Sequence, residues 1–176
     1  SRHDGTMILR MEDTDQLRLV EGSIDQIQDS LKWLGIEWQE GVGKGGDYGP
    51  YIQSERLKLY SEHANSLVEH GRAYRDYTSS ADLDKLRKAA QADKKAFRFT
   101  KDLAKLDPDT PDQPFVIRFE IKPGDDVTWG DAVWGAQSWK REVLDDFVAI
   151  KSDGYPTYNF AVVVDDHLME ISHVLR

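Results

Sequence analysis

Cysteine is missing from all 176 residues, which excludes a disulfide framework and any thiolate-ligated metal site. Long apolar runs are missing too. None approaches the ~20 residues that a membrane-spanning helix needs, and Ser1-Arg2-His3-Asp4 carries no signal-peptide core. Positive charge is scarce: 23 Lys and Arg stand against 32 Asp and Glu, a formal net charge of −9. That balance argues against a protein that coats nucleic acid wholesale, but leaves room for a local basic face. These absences describe a cytoplasmic globular protein without a membrane segment. It is long enough for one large domain or two small ones, and as one unit would bury roughly 70% of its unfolded surface.

What is present concentrates in two stretches. Residues 153–176, DGYPTYNFAVVVDDHLMEISHVLR, combine a turn, an apolar run, adjacent carboxylates, two histidines and an arginine. Residues 5–15, GTMILRMEDTD, share the pattern of an apolar run that ends in carboxylates. The near-continuous run Thr6–Met11 predicts a parallel strand covered on both faces, opened by Arg10 near its end. The acids that follow have two uses. Thr14 or Asp15 can cap a following helix, the commoner role; alternatively, acids at the C-terminal edge of a parallel strand point into a ligand crevice. In the last stretch Thr157 is a helix N-cap, and Tyr158, Ala161, Val162 and Leu168 give that helix an apolar side, although Val162-Val163-Val164 would equally suit a strand. Asp165 and Asp166 oppose the helix dipole there, so helix stability alone does not explain them. As a metal site Asp165-Asp166-His167 is weak, because adjacent residues on a helix do not share a face.

Between these stretches the spacing of Ile24, Ile27, Leu31 and Leu34 predicts an amphipathic helix over 21–34, stopped by Gly35, with Trp33 and Trp38 as core. Five glycines and a proline make 40–50 an exposed, mobile loop; no P-loop lysine follows. A second helix runs from Ser54 through Val68 to a stop at Gly71, and a third from Ser79-Ser80 to about Asp93. Residues 84–105 are locally basic, a pattern that is usually a solvated face but can meet a phosphate backbone. After the extended connector 106–114, FVIRFEI (115–121) alternates as a half-exposed strand. Trp129, Trp134 and Trp139 among glycines suit short strands of a small twisted sheet, and 144–151 is one more strand. The change of character over 72–152 predicts an inserted domain between two α/β flanks, 1–71 and 153–176. Gly5 reads as a connection from a helix that would precede it, and ISHVLR as a strand on which the chain stops; both ends predict a fragment.

Taken together, ILRMEDTD, GGDYGPYIQSERL, VIRFEI and SDGYPTYNFAVVVDDHLMEISHVLR closely resemble the glutamyl-tRNA synthetases of bacterial and organellar type, in order and over nearly the whole chain. The resemblance implies an α/β fold: part of a class I, Rossmann-type catalytic domain with an inserted mixed α/β domain that binds the tRNA acceptor stem. It implies activation of L-glutamate with ATP and Mg²⁺ to glutamyl-adenylate, then transfer to the 3′ end of tRNA(Glu). By motif matching, Glu12 would contact the bound glutamate, Tyr158 and Val162 would line its pocket, and Arg176 would pair with its side-chain carboxylate through a bidentate fork. Asp15 and Arg18 would lie near the incoming tRNA end, and Lys151 would support the acceptor strand.

The chain also departs from the family's pattern. The His-x-Gly-His-like stretch would precede Ser1, and the Lys-Met-Ser-Lys-Ser-like stretch would follow Arg176. The anticodon-binding domain is missing as well. The resemblance therefore implies a monomeric parent enzyme whose piece, alone, is inactive. Many relatives carry cysteines after the equivalent of Tyr74 that hold zinc; YRDYTSSADL has none, so no zinc is expected. Two rival readings are a synthetase that charges a modified anticodon nucleotide and a stand-alone RNA-binding module built on 84–105.

Overall fold

The computed structural model describes residues 5–15, 20–94 and 96–174. The chain divides into two compact units, residues 1–63 with 154–176, and residues 64–153.

The first unit is built on parallel pairing. Strand β1 (Ile8–Leu9) lies beside β2 (Glu40–Gly41) in parallel register, with Ile8 opposite Glu40 and Leu9 opposite Gly41. Just beyond β1, Met11 forms a parallel bridge with Ile52, its amide donating to Tyr51 O at 2.9 Å. Parallel neighbours need a crossover between them, and helix α1 (Ser23–Trp33) supplies it. It ends in a Schellman turn: the Ile36 amide reaches Leu31 O, the Gly35 amide reaches Lys32 O, and Gly35 takes φ 70°, as a left-handed C′ position requires. The Gly71 stop repeats this at the end of helix α2 (Leu57–Glu69), with Arg72 donating to Leu67 O and Gly71 to Val68 O.

Three expectations fail in this unit. Residues 40–50 are not simply an exposed loop, since Glu40 and Gly41 are a strand. A side chain at Gly41 would sit 2.2 Å from Leu9 O, so glycine there serves close backbone approach rather than mobility. Trp38 is buried, but Trp33 is 84% exposed and no residue of α1 is buried; the apolar row is real but only half covered, at Ile24 and Leu31. Finally, residues 171–174 are not a strand. They leave helix α4 (Tyr158–Leu168) through a third Schellman turn, in which Ile171 donates to Asp166 O and Glu170 to His167 O. Here Glu170, at φ 52°, occupies the position usually given to glycine.

The second unit holds a three-stranded antiparallel sheet in the order β3 (Ala73–Asp76), β4 (Val116–Phe119), β7 (Val148–Ile150). Helix α3 (Ser80–Ala92) starts at Ser79, whose hydroxyl accepts from the Asp82 amide and donates to the Asp82 carboxylate, a reciprocal cap. A separate hairpin pairs β5 (Val127–Asp131) with β6 (Gly135–Trp139), and its Trp129, Trp134 and Trp139 are all exposed. Strand β4 is more covered than its alternation predicts. Arg118, on the expected outer face, is buried: its Nε donates to Asp76 at 2.6 Å and its guanidinium lies 3.8 Å from the Phe99 ring centre. An ion pair and a cation–π contact satisfy the charge, so the pattern of apolar residues alone misjudged that face.

Candidate functional site

In the first unit the polar chemistry collects around α4. Its buried side carries Phe160, Ala161, Val162 and Val164, and in line with Ala161, four residues on, comes Asp165, itself fully buried. A carboxylate there must be paired and hydrogen-bonded. The turn 53–56 and the first part of α2 do this from positions 53, 56 and 60. Gln53 Nε2 donates to Asp165 Oδ2 at 2.9 Å and Arg56 Nε to Oδ1 at 2.8 Å. The Tyr60 hydroxyl donates to Oδ2 at 2.8 Å. Arg56 also donates through Nη1 to the carbonyls of Tyr48 and Pro50, so the buried pair is held on both sides by further hydrogen bonds. Burial, with the Asp165 charge beside it, pushes the Tyr60 phenol well above its ordinary value.

Arg10 connects this buried centre to the strand end. Its Nη1 donates to Asp166 Oδ1 at 2.7 Å, its Nη2 to Glu12 Oε1 at 3.2 Å, and its Nε lies 3.6 Å from Asp165 Oδ2. Burial alone would lower the guanidinium pKa, but Asp166, Asp165 and Glu12 outweigh it and the net direction is upward. Among the described residues of this cluster, two guanidiniums, Arg10 and Arg56, thus face three carboxylates, Glu12, Asp165 and Asp166, a formal sum of 2 − 3 = −1. The side chains of Glu12 and Asp166 remain 31% and 28% exposed. The spare negative charge therefore lies at the rim, where it can attract a cation.

The acids after β1 divide their tasks. Asp13 Oδ1 accepts the Ser54 amide at 2.8 Å, covering an N–H at the start of the turn that leads into α2. Thr14 is buried and Asp15 exposed. Neither caps α1, which begins after Gly22; residues 16–19, which a cap at Thr14 or Asp15 would serve, lie outside the described residues. On α4, Tyr158 is 42% exposed while Val162, one turn on, is 8% exposed. Tyr158 can meet a ligand directly, whereas Val162 is packed inward. Lys151 belongs to the second unit, 3.4 Å from Asp153. Arg18 and Arg176 lie outside the described residues. In the basic stretch, Lys85, Arg87, Lys101 and Lys105 each pair with a carboxylate, namely Asp82, Asp84, Glu120 and Asp109.

Sequence reasoning passed over Arg10, Gln53, Arg56 and Tyr60 as site residues. A signal existed for one partner: at helical spacing Asp165 falls on the same side as Ala161 and Leu168, and an acid inside an apolar stripe demands buried cations.

Parallel strands with carboxylates at their carboxyl end, beside a helix that carries an aromatic side chain, define a nucleotide-fold catalytic domain of α/β type. The family model for class I tRNA synthetases (E and Q), catalytic domain, matches residues 1–176, and the chain belongs to that family. It is 43% identical over 175 residues to the glutamate–tRNA ligase of Anaeromyxobacter dehalogenans, covering 99% of this chain and 37% of that one. With the glutamate–tRNA ligase of Dehalococcoides mccartyi it shares 48% over 180 residues, covering 100% and 36%. A solved glutamate tRNA ligase from Elizabethkingia meningosepticum, in complex with its amino acid, superposes with a TM-score of 0.87 at 34% identity, covering 97% of this chain and 36% of that one. The chain thus spans little more than a third of the relatives it matches.

Proposed function

We propose that the chain provides the amino-acid-binding part of a glutamate–tRNA ligase. The observation that carries this reading is the rim of Glu12 and Asp166, one negative charge in excess, at the end of β1 beside α4. That charge suits the ammonium of an amino acid. Glu12 is the group we assign to it, with the exposed ring of Tyr158 as a wall and Val162 as packing behind it. Arg176 would take the side-chain carboxylate, for which a planar, permanently charged fork gives both affinity and selection against an uncharged amide. The names of the relatives support glutamate as the amino acid.

In this reading the substrate α-carboxylate attacks the α-phosphorus of ATP and pyrophosphate leaves. A hydroxyl of the terminal tRNA ribose then attacks the acyl carbon and AMP leaves. This chain contributes positioning and charge placement. Asp15 and Arg18 would face the incoming tRNA end, and Lys151 with the basic segment of the second unit would hold the acceptor strand. Mg²⁺ belongs to the family's chemistry, but among the described residues no cluster of three metal-ligating side chains could hold an ion. Glu12, Asp165 and Asp166 are engaged by Arg10 and Arg56, so no ligand for Mg²⁺ is assigned in this chain. A monomeric, cytoplasmic enzyme completes the proposal.

The test is glutamate-dependent ATP–pyrophosphate exchange by the full-length ligase containing this chain. Arg176→Ala should raise the glutamate KM by the loss of the charged partner of the substrate carboxylate, ~2–5 kcal/mol, with little change in the KM for ATP. An unchanged glutamate KM removes Arg176 from the pocket. Exchange that prefers another amino acid overturns the whole reading.

A further inference from the structure

The Arg10 side chain is only 12% exposed, yet it reaches acids on two separate segments, Glu12 after β1 and Asp165 and Asp166 on α4. Two residues apart in extended chain, Arg10 and Glu12 point to the same side. A carboxylate at a strand end, one-third exposed, has several staggered side-chain conformations open to it, and most would not aim at a ligand. The 3.2 Å contact from Arg10 Nη2 holds Glu12 by Oε1, which leaves Oε2 for a second donor. The same guanidinium is fixed at its other end by Asp166, at 2.7 Å. Behind both stands Asp165, which Arg56, Tyr60 and Gln53 hold in place.

We propose that Arg10 is a positioning residue for amino-acid binding: a guanidinium clamp that takes its orientation from α4 and passes it to the Glu12 carboxylate. The inference rests on the reading that Glu12 receives the substrate ammonium. Two properties of arginine are needed. It must donate from two nitrogens in one plane, and it must stay charged when largely desolvated. Lysine meets neither the span nor the planarity, although it keeps the cation near Asp165 and Asp166.

Arg10→Lys in the full-length ligase should therefore keep its thermal midpoint within a few degrees of the parent and leave the KM for ATP unmoved. Its glutamate KM should rise about tenfold or more, the scale of one charge-assisted hydrogen bond lost, with kcat changing less than KM. A purely structural stitch between strand and helix would lower the midpoint and leave the glutamate KM of the folded enzyme where it was. The deciding measurement is the cycle with Glu12→Gln. If Arg10 acts through Glu12, adding Arg10→Lys to Glu12→Gln changes the glutamate KM by less than about twofold, within the scatter expected of uncoupled sites. Effects that multiply in the double variant overturn the inference. So does an unchanged KM in Arg10→Lys while Glu12→Gln raises it, and in that case the ammonium reading survives. An unchanged KM in Glu12→Gln removes the ammonium reading itself. Should Arg10→Lys not fold, Arg10→Gln, which keeps a planar amide but loses the paired guanidinium donors, is scored by the same cycle.

Discussion

Tyr48, Tyr51, Tyr60 and Tyr74 share one arrangement, a phenol that donates to a carboxylate: Glu170, Glu40, Asp165 and Asp146 respectively. Each phenol pKa is raised. For Tyr51, Tyr60 and Tyr74 burial is the largest cause, and for Tyr48 it is the hydrogen bond to Glu170. A raised tyrosine pKa means that the folded state keeps the proton longer than the unfolded chain. The associated stability is complete below about pH 10, the ordinary value, and is lost as pH climbs beyond it towards the folded value. The protein should hold its stability at neutral pH and unfold on alkaline titration from about pH 10 upward. Tyr60→Phe and Tyr74→Phe should each lower stability at pH 7 while flattening that alkaline loss, in urea melts repeated across pH. An unaltered slope above pH 10 in both variants would show that these phenols do not govern it.

At the scale of elements, the glycines divide into stops and close approaches, and only the first kind was readable. Gly35 and Gly71 follow amphipathic runs, where a left-handed C′ residue is expected. Gly41 sits in a glycine-rich stretch that looked like a loop, yet its hydrogen atom faces the Leu9 carbonyl across the β1–β2 pair. Gly41→Ala should force those strands apart at a cost of several kcal/mol, since a clash with backbone cannot be relieved by a rotamer change. Thermal unfolding is the check, and a loss below about 1 kcal/mol would mean that the pair yields easily. The helices were legible because a 3.6-residue period marks one face whatever lies against it. Which face is covered was not. Trp33 and Trp38 flank the same turn with opposite exposure, and Arg118 went inside because Asp76 and Phe99, far away in sequence, were waiting for it. The acidic strand end and Tyr158 could be picked out as candidate site residues from their motifs. Arg10, Arg56 and Tyr60 could not, since what qualifies them is a shared contact with residues more than a hundred positions away.

At the scale of the molecule, the unit that carries the candidate site is discontinuous, drawn from residues 1–63 and 154–176, while residues 64–153 form a continuous one. Arg56 and Asp165 are separated by 109 positions, and Arg10 and Asp166 by 156. During synthesis the two arginines exist for the whole passage of the intervening unit without Asp165 and Asp166, the α4 acids that pair with them in the folded unit. The order of events is then set by the direction of the ribosome: the continuous unit can close while the other waits, half made, for α4. Nascent chains stalled so that Asp153 has cleared the exit tunnel while α4 is still inside it should show amide protection across β3, β4 and β7 and none across residues 53–60. Chains extended beyond Met169, clear of the exit tunnel, should protect both. Protection of 53–60 in the shorter chains would mean that the turn closes without its carboxylate. The helix that follows the continuous unit is thus also the one that switches on the charge pattern of the site, so that the buried ion pairs cannot form on a nascent chain that has not reached α4.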